Sequence, residues 1–178
     1  MYEQKGTCMH ELLDIVNEYD EIIDQKYRNE IYEKKLSYFR VINAFLINDK
    51  KQVWIPRRTK HKKLFPLCLD TSVGGHVSSG ENYQQAFERE LKEELNLDSA
   101  QCRYEVIAKL TPYEHKVSAF MQLYVIYTQI SPKYNANDFE SAEWIDILDL
   151  QEKLNRGEPT KNDLPILVKI LDQFVDKS

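Results

Sequence analysis

The hydrophobic residues of this chain follow two different patterns, and together they predict a protein that mixes strands and helices. Continuous runs rich in Val, Ile, Phe and Tyr predict strands, because β-branched and aromatic side chains favour an extended backbone. Hydrophobic residues that recur every three or four positions predict amphipathic helices. Pro56 lacks a backbone N–H, so the strand that contains it should end there or lie at an edge. The predicted strands cover residues 39–47, 52–57, 104–109, 120–130 and 141–145, and the predicted helices cover residues 83–95, 147–154 and 164–175.

The residues that precede the first long strand are predicted to form an extension. Residues 12–24 contain two short runs on either side of the turn-like sequence Glu-Tyr-Asp, which predicts a hairpin. Residues 28–36 have the composition of a short surface helix. We therefore expect an N-terminal extension, residues 1–36, packed on a main domain that comprises residues 37–178.

The central helix has the clearest periodicity in the chain. Every fourth residue from Tyr83 to Leu95 is hydrophobic, so these side chains form one seam along the helix. Asn82 and Gln85 have the spacing of a capping box, which predicts where the helix begins. Asn96 is predicted to end the helix, because asparagine is the usual substitute for glycine in the left-handed conformation.

Three glutamates lie beside this seam. Glu90, Glu93 and Glu94 have the spacing i, i+3, i+4 and therefore share one face of the helix. Carboxylates crowded at the edge of a hydrophobic core repel one another and are poorly solvated, so we expect a cation among them. Ligands that are all oxygen favour Mg²⁺ or Mn²⁺ over Zn²⁺. Arg89 is expected to orient Glu93 by an ion pair. The alternative is an ordinary solvated helix face.

The helix belongs to a longer motif, GHVSSGENYQQAFERELKEELNL, at residues 75–97. This motif resembles the Nudix box, in which a glycine, a glutamate, an Arg-Glu-hydrophobic triplet and a Glu-Glu pair occur at fixed spacing. Asn96 departs from the pattern, since it stands where the family has glycine. The resemblance implies a Nudix α/β/α sandwich with a mixed sheet. It also implies a metal-dependent hydrolase that cleaves a diphosphate linked to another moiety.

The same resemblance implies the parts of an active site. The box glutamates would hold the metal with the help of a backbone carbonyl, and a second carboxylate would remove a proton from water. Glu81 and Arg89 are expected to brace the loop and the helix. The predicted metal ligands are Glu90, Glu93, Glu94 and the carbonyl of Gly74 or Gly75. The predicted catalytic residues are Glu93, Glu94, Arg89 and Glu140, with Glu114 as another candidate for the base.

A basic segment, TKHKKLFP at residues 59–66, precedes the glycine pair. In a chain that is acidic as a whole, beside a motif of phosphate chemistry, these cations suit the binding of substrate phosphates. The predicted phosphate-binding residues are Arg57, Arg58 and Lys63. A solvated basic loop is the alternative.

The resemblance extends over residues 11–150 to the branch that contains type 1 isopentenyl diphosphate isomerases and related hydrolases. Those isomerases use a cysteine before a Ser-His pair and a glutamate in a Glu-His-Glu stretch. Aligned on His76 and on Glu114, this chain has Gly74 and Lys116 at two of those positions, so the thiol and one carboxylate for proton transfer are missing. We predict a hydrolase; an isomerase and an inactive ligand sensor are the alternatives. His76 is either a further metal ligand, as in the isomerases, or a structural histidine.

The composition of the chain excludes some classes of binding partner and indicates a cellular location. The chain of 178 residues has a formal net charge of −5, which argues against non-specific binding to nucleic acid polymers. No signal peptide and no hydrophobic run long enough for a membrane span are evident, so no membrane partner is expected. Cys8, Cys68 and Cys102 are isolated, which fits a reducing cytoplasm. The expected partner is a small diphosphate substrate such as a nucleoside diphosphate derivative, and a homodimer is left open.

Overall fold

The computed structural model of the protein describes residues 11–177. Residues 1–10 of the expected extension, with Cys8, lie outside the described residues, as does Ser178. Within the described part, the strands are β1 (Leu12–Val16), β2 (Ile22–Tyr27), β3 (Arg40–Ile47), β4 (Gln52–Arg58), β5 (Val73–His76), β6 (Arg103–Leu110), β7 (Phe120–Tyr127) and β8 (Phe139–Asp146). The helices are α1 (Arg28–Glu33), α2 (Tyr83–Leu95), α3 (Pro112–His115), α4 (Ile147–Asn155) and α5 (Leu164–Val175), with a 3₁₀ turn at Ser99–Gln101. None of these helices has both the length and the hydrophobicity needed to cross a membrane.

The main sheet is mixed and has the strand order β6-β7-β3-β4-β8, with β5 paired to β3 beside that path. The pair β3–β7 is parallel, and the other pairs of this sheet are antiparallel. Successive side chains of β3 point to opposite faces. Ile42, Ala44 and Leu46 pack under α2, whereas Phe45 and Ile47 belong to the core beneath α4 and α5. Helices on both faces of a mixed sheet form the α/β/α sandwich, which confirms the predicted fold class.

The hydrophobic seam of α2 faces this sheet. Phe87, Leu91 and Leu95 are completely buried, and Tyr83 is partly buried at the beginning of the helix. The ring of Phe87 stacks on Tyr124 of β7, with 4.2 Å between the ring centroids and 9° between the planes. Because the seam lies over β3 and β7, the glutamate face next to it points toward β5.

β3 pairs with one strand in its first half and with another at its end, and this change of partner leaves an opening between β3 and β4. Its first half pairs with β5 and its last two residues pair with β4, which then diverges and continues along β8 to Arg58. Pro56 lies in the diverging part, where its missing N–H removes no bond to β3. The Ser72 hydroxyl lies in the opening, accepts from the Leu46 N–H at 2.9 Å and donates to the Trp54 carbonyl at 2.6 Å. The opening leaves the outer edge of β5 facing α2.

The N-terminal hairpin and α1 lie against one end of the main sheet. β1 and β2 form a separate antiparallel sheet, and the bridges Leu13–Ser78 and Ile15–Phe39 attach it to the rest of the protein. Ile31 of α1 is buried in the small hydrophobic cluster between them. The hairpin and the short helix are therefore present as expected, whereas the domain boundary after residue 36 stays a prediction.

Three short elements of the structure were not predicted. β5 contains Gly74 and Gly75, which disfavour a strand when the sequence is judged locally, and pairing with β3 overrides that preference. α3 and the 3₁₀ turn are too short to show a helical period. β7 also ends at Tyr127 rather than at the predicted residue 130.

Candidate active site

Both ends of α2 are fixed by the residues that the sequence indicated. The Asn82 side chain accepts from the N–H of Gln85, and the Gln85 side chain accepts from the N–H of Asn82, each at 2.9 Å. This reciprocal capping box begins the helix as predicted. Asn96 ends it in the left-handed conformation, with φ 55° and ψ 29°. Asn96 therefore provides the helix end that a glycine would provide.

Glu90 lies directly against the backbone of β5. An ideal Cβ at position 75 would lie 2.0 Å from Glu90 Oε1 and 2.1 Å from its Cδ. Glycine is required at that position because the carboxyl group of Glu90 occupies the space of a side chain. At position 74, a Cβ would lie 2.8 Å from the side-chain oxygen of Asn43. The two glycines thus admit α2 on one face of β5 and a buried polar residue on the other.

Glu94 is bound to the outer edge of the same strand. Its carboxylate accepts a hydrogen bond from the N–H of Gly74 at 3.0 Å. The N–H and C=O groups of one strand residue point to the same edge, so the Gly74 carbonyl also faces α2. Two residues further along, the His76 carbonyl points the same way and accepts from Nη2 of Arg89 at 2.9 Å. This alternation favours Gly74 over Gly75 as the residue whose carbonyl faces the glutamates.

Burial changes the protonation of both inward-facing glutamates. Burial, with a smaller contribution from the charge of Glu93, raises the pKa of Glu90 to about 7 against the lowering effect of Arg89. The pKa of Glu94 also lies well above its ordinary value, because the carboxyl group is buried and lies near Glu90 and Asp70. The charge of Glu90 thus opposes the ionisation of Glu94 in a poorly solvated place.

Arg89 connects the helix to the loop before it. Its Nε and Nη2 donate to the two carboxylate oxygens of Glu81 at 2.8 and 2.9 Å, so the expected bracing contact is present. Its Nη1 donates to Glu90 at 2.6 Å and lies 3.8 Å from Glu93, whose side chain is 51% exposed. The sequence predicted that Arg89 orients Glu93, but the closer contact is with Glu90. The reason is that Glu90 points inward to β5, on the side where the guanidinium group lies.

The three glutamates share one helix face but do not converge. Within residues 11–177, no group of three His, Cys, Asp or Glu side chains is arranged so that it could hold a metal ion as it stands. Glu90 is directed to Arg89 and Gly75, Glu94 is directed to the N–H of Gly74, and Glu93 points toward solvent. The assignment of these residues as metal ligands stays a prediction that requires their side chains to rotate.

The two arginines predicted to bind phosphate make contacts with the segment that follows β4 and with acidic side chains. Arg57 donates to the Leu67 carbonyl at 2.8 Å and to Glu158 at 2.6 Å. Arg58 donates to Asp70 at 2.7 Å and to the carbonyls of Leu64 and Phe65 at 3.1 and 3.2 Å. These contacts give both guanidinium groups a loop-holding role that the local sequence did not indicate. Lys63 is exposed in this loop, and phosphate binding by the three residues stays a prediction.

The structure places the candidate bases at the surface. Glu140 is exposed near the beginning of β8, in the part of that strand that pairs with the end of β4. Glu114 is exposed on α3, where its carboxylate accepts from the Thr111 hydroxyl at 3.2 Å. Neither position selects one of them as the base, so that assignment also stays open.

The side chain of His76 lies between two residues of the N-terminal extension. Its Nε2 lies 3.0 Å from the Tyr32 hydroxyl, and its Nδ1 lies 3.4 Å from Glu11. Burial lowers the pKa of the imidazole, against the raising effect of its contact with Glu11. Both ring nitrogens therefore have partners in the N-terminal extension.

Two acidic residues near Glu94 were missed by sequence reasoning. Asp70 is buried and contacts Arg58 at 2.7 Å and Lys161 at 3.1 Å. Asp138 pairs with Lys62, and the charges of both aspartates raise the pKa of Glu94. No spacing rule connects them with the helix motif, because the fold brings them together from distant segments. A local signal for Asp70 was the polar Asp-Thr-Ser stretch just before the glycine pair.

The chain is similar to known proteins over most of its length. A sequence profile of the NUDIX domain matches residues 37–164. An uncharacterised Nudix hydrolase of a Nostoc species is 51% identical over 160 residues, which cover 90% of this chain and 95% of that protein. A crystal structure of a Deinococcus radiodurans protein has a TM-score of 0.85 and 42% identity, covering 89% of this chain and 98% of that one. An isopentenyl-diphosphate Delta-isomerase of Photorhabdus laumondii is 27% identical over 126 residues, which cover 67% of this chain and 70% of that protein.

Replacement of Arg89 should lower both stability and activity. Arg89→Ala leaves Glu81 and Glu90 without their shared partner, so we expect a loss of about 1–3 kcal/mol in the free energy of unfolding and a fall of about 10-fold or more in turnover. Arg89→Lys should restore little, because an ammonium group cannot donate to Glu81, Glu90 and the His76 carbonyl together. Urea unfolding measures the stability, and steady-state assays measure the turnover. An Arg89→Ala variant with the stability and turnover of wild type would contradict the bracing role.

Replacement of Glu90 should change how stability depends on pH in metal-free protein. The folded-state pKa of about 7 lies above the ordinary 4.5. The Glu90 contribution to stability is therefore full below pH 4.5, is lost as the pH rises through this window and is constant above pH 7. In EDTA, Glu90→Gln should become more stable relative to wild type as the pH rises from 4.5 to 7. Thermal unfolding at several pH values measures the difference in stability between the variant and wild type. A difference that does not change with pH would contradict the assignment of the raised pKa to Glu90.

Proposed function

The chain belongs to the Nudix family and is a pyrophosphohydrolase, and on that premise we propose that it depends on Mg²⁺ or Mn²⁺ and acts on a nucleoside diphosphate derivative or a similar small organic diphosphate. The observation that carries the metal proposal is the pair of partly buried carboxyl groups, Glu90 and Glu94, held beside the outer edge of β5. Their repulsion is relieved if a cation binds between them. A cytoplasmic location remains an expectation from the sequence.

The chemistry of the donors suits a hard divalent cation. The carboxylates of Glu90, Glu93 and Glu94 and the carbonyl of Gly74 are all oxygen donors, which Mg²⁺ and Mn²⁺ prefer. Such an ion would lower the pKa of bound water and offset negative charge on the phosphoryl oxygens. Glu93, at the exposed end of the set, would complete it by turning inward. Arg89 would keep Glu90 in place during this change.

The residues around the site would give the substrate its orientation. Lys63 is exposed on the basic loop, and Lys62 and Lys161 lie near Glu94 through their contacts with Asp138 and Asp70. Ammonium groups in this region would attract a diphosphate and bind its oxygens. A carboxylate of the box, Glu114 or Glu140 would take the proton of the attacking water.

The geometry at position 74 favours hydrolysis over isomerisation. The isomerase comparison assigns this position to a cysteine, but a Cβ here would already lie 2.8 Å from Asn43 Oδ1 and 3.2 Å from Thr71 Oγ1. A thiol side chain therefore has no room without movement of buried polar residues. Lys116, at the position of a carboxylate, is exposed and has the opposite charge. An inactive sensor is disfavoured because the box carboxylates are all retained.

Removal of charge from the box should abolish turnover without unfolding the protein. Glu93→Gln and Glu94→Gln should each lower turnover by ~10²-fold or more, because each removes negative charge from the metal ligands. Glu88→Gln, on another face of α2, is the matched control and should behave as wild type. Release of phosphate or a monophosphate from a panel of diphosphates, with and without EDTA, is the measurement. Metal-independent release, or normal turnover in the folded double variant, would reject the proposal.

Isopentenyl diphosphate should not be isomerised. The phosphates and the metal allow weak binding or slow hydrolysis, but proton addition and removal on opposite faces of an alkene need an acid and a base that Gly74 and Lys116 do not supply. Incubation with Mg²⁺ in deuterated water, followed by NMR, should show no deuterium in the isoprenoid carbon skeleton and no dimethylallyl diphosphate. Deuterium in the carbon skeleton would favour the isomerase over the hydrolase.

A further inference from the structure

Contacts of the N-terminal extension reach both groups that hold Arg89. We propose that the hairpin and α1 position the active site, with Glu11 and Tyr32 acting through His76 and Arg89 on the placement of Glu90. The inference rests on the proposed function, because it takes Glu90 as part of the metal site. Glu11 and Tyr32 are positioning residues in this proposal, since neither contacts Glu90 directly in the chain of contacts described below.

The first part of the chain of contacts fixes the His76 ring. The hydroxyl of Tyr32, the last residue but one of α1, lies 3.0 Å from Nε2, and Glu11 lies 3.4 Å from Nδ1. Glu11 is itself 3.3 Å from the guanidinium group of Arg28. The ring also packs against Phe39, with 5.8 Å between the centroids. The imidazole is thus fixed in position and in rotation by Glu11 and Tyr32 of the extension together with Phe39 of the main domain.

The second part connects His76 to the glutamate. His76 is the last residue of β5, and its carbonyl at the outer edge accepts from Arg89 Nη2 at 2.9 Å. The other terminal nitrogen, Nη1, donates to Glu90 at 2.6 Å. A guanidinium group is planar and rigid, so a movement of one terminal nitrogen changes where the other can lie. A shift of the His76 backbone is therefore transmitted to the carboxylate of Glu90.

The extension also holds the second anchor of Arg89. Asp14 of β1 is buried; its carboxylate accepts from the Ser79 hydroxyl at 2.8 Å and from the Gly80 N–H at 3.3 Å. The Ser79 N–H donates to the Leu12 carbonyl at 2.8 Å. This loop leads to Glu81, which accepts two bonds from Arg89. Besides Glu90, the groups that orient the guanidinium group are the His76 carbonyl and the Glu81 carboxylate. Contacts with the extension thus hold the segments that carry both groups.

Removal of the Tyr32 hydroxyl tests the transmission. Tyr32→Phe keeps the ring and its packing on Phe39 but removes the bond to His76. We expect the Mg²⁺ concentration for half-maximal activity to rise and kcat to fall. The two effects combined should amount to about 10-fold, and KM for the diphosphate should stay nearly unchanged. Tyr127→Phe, which removes a bond to Glu105 on the far strands, is the matched control and should leave these constants unchanged.

A double-variant comparison and an NMR measurement separate positioning from general stability. In an Arg89→Ala background, Tyr32→Phe should have no further effect on the Mg²⁺ requirement, because the transmission runs through the guanidinium group. In metal-free protein, Tyr32→Phe should shift the Nε–H resonance of Arg89 and speed its exchange with water. An unchanged Arg89 resonance, or equal effects of Tyr32→Phe with and without Arg89, would overturn the inference. Absence of Mg²⁺-dependent hydrolysis in wild type would instead reject the proposed function. The NMR result would still decide whether the extension positions Arg89.

Discussion

The close approach of α2 to β5 is the constraint on which the site depends. The Glu90 carboxyl group lies where a side chain at position 75 would lie, so the helix and the strand are nearer than any other residue would allow. The same approach buries Glu90 and brings Glu94 to the N–H of Gly74. The raised pKa of both carboxyl groups follows from it, because little water remains between the helix and the strand.

Arginine is suited to this place for a geometric reason. The group at position 89 has to contact a carboxylate on the loop, a backbone carbonyl on β5 and a carboxylate on its own helix at once. A planar group with several N–H donors can meet acceptors in three directions, whereas the point charge of a lysine cannot. The single residue therefore fixes the relative positions of loop, strand and helix.

The helix and its caps could be predicted because their signals are local. The seam from Tyr83 to Leu95, the pair Asn82 and Gln85, and Asn96 each act within one or two helical turns, and the structure contains all three features. β5 could not be predicted, because its glycines are explained by contacts with Glu90 and Asn43 and not by backbone preference.

The surroundings of the glutamates were unpredictable for a related reason. Asp70, Asp138 and the two extension residues that bind His76 reach the site through tertiary packing, and no sequence period connects such distant segments. The choice of partner by Arg89 also depended on which glutamate points inward, which helical spacing does not determine, since Glu90 and Glu93 share one face.

The opening between β3 and β4 has a consequence for the order of folding. The segment that fills this opening is bound on its other side by residues that precede the C-terminal helix. The Leu69 N–H donates to the Pro159 carbonyl, and the Lys161 N–H donates to the Leu69 carbonyl. Contacts between such distant residues require closure of a long loop, so they form slowly compared with the turns of α2. During synthesis on the ribosome, the helix that carries the glutamates emerges before the chain that completes their environment. The surroundings of the glutamates are therefore completed late, after most of the polypeptide is available.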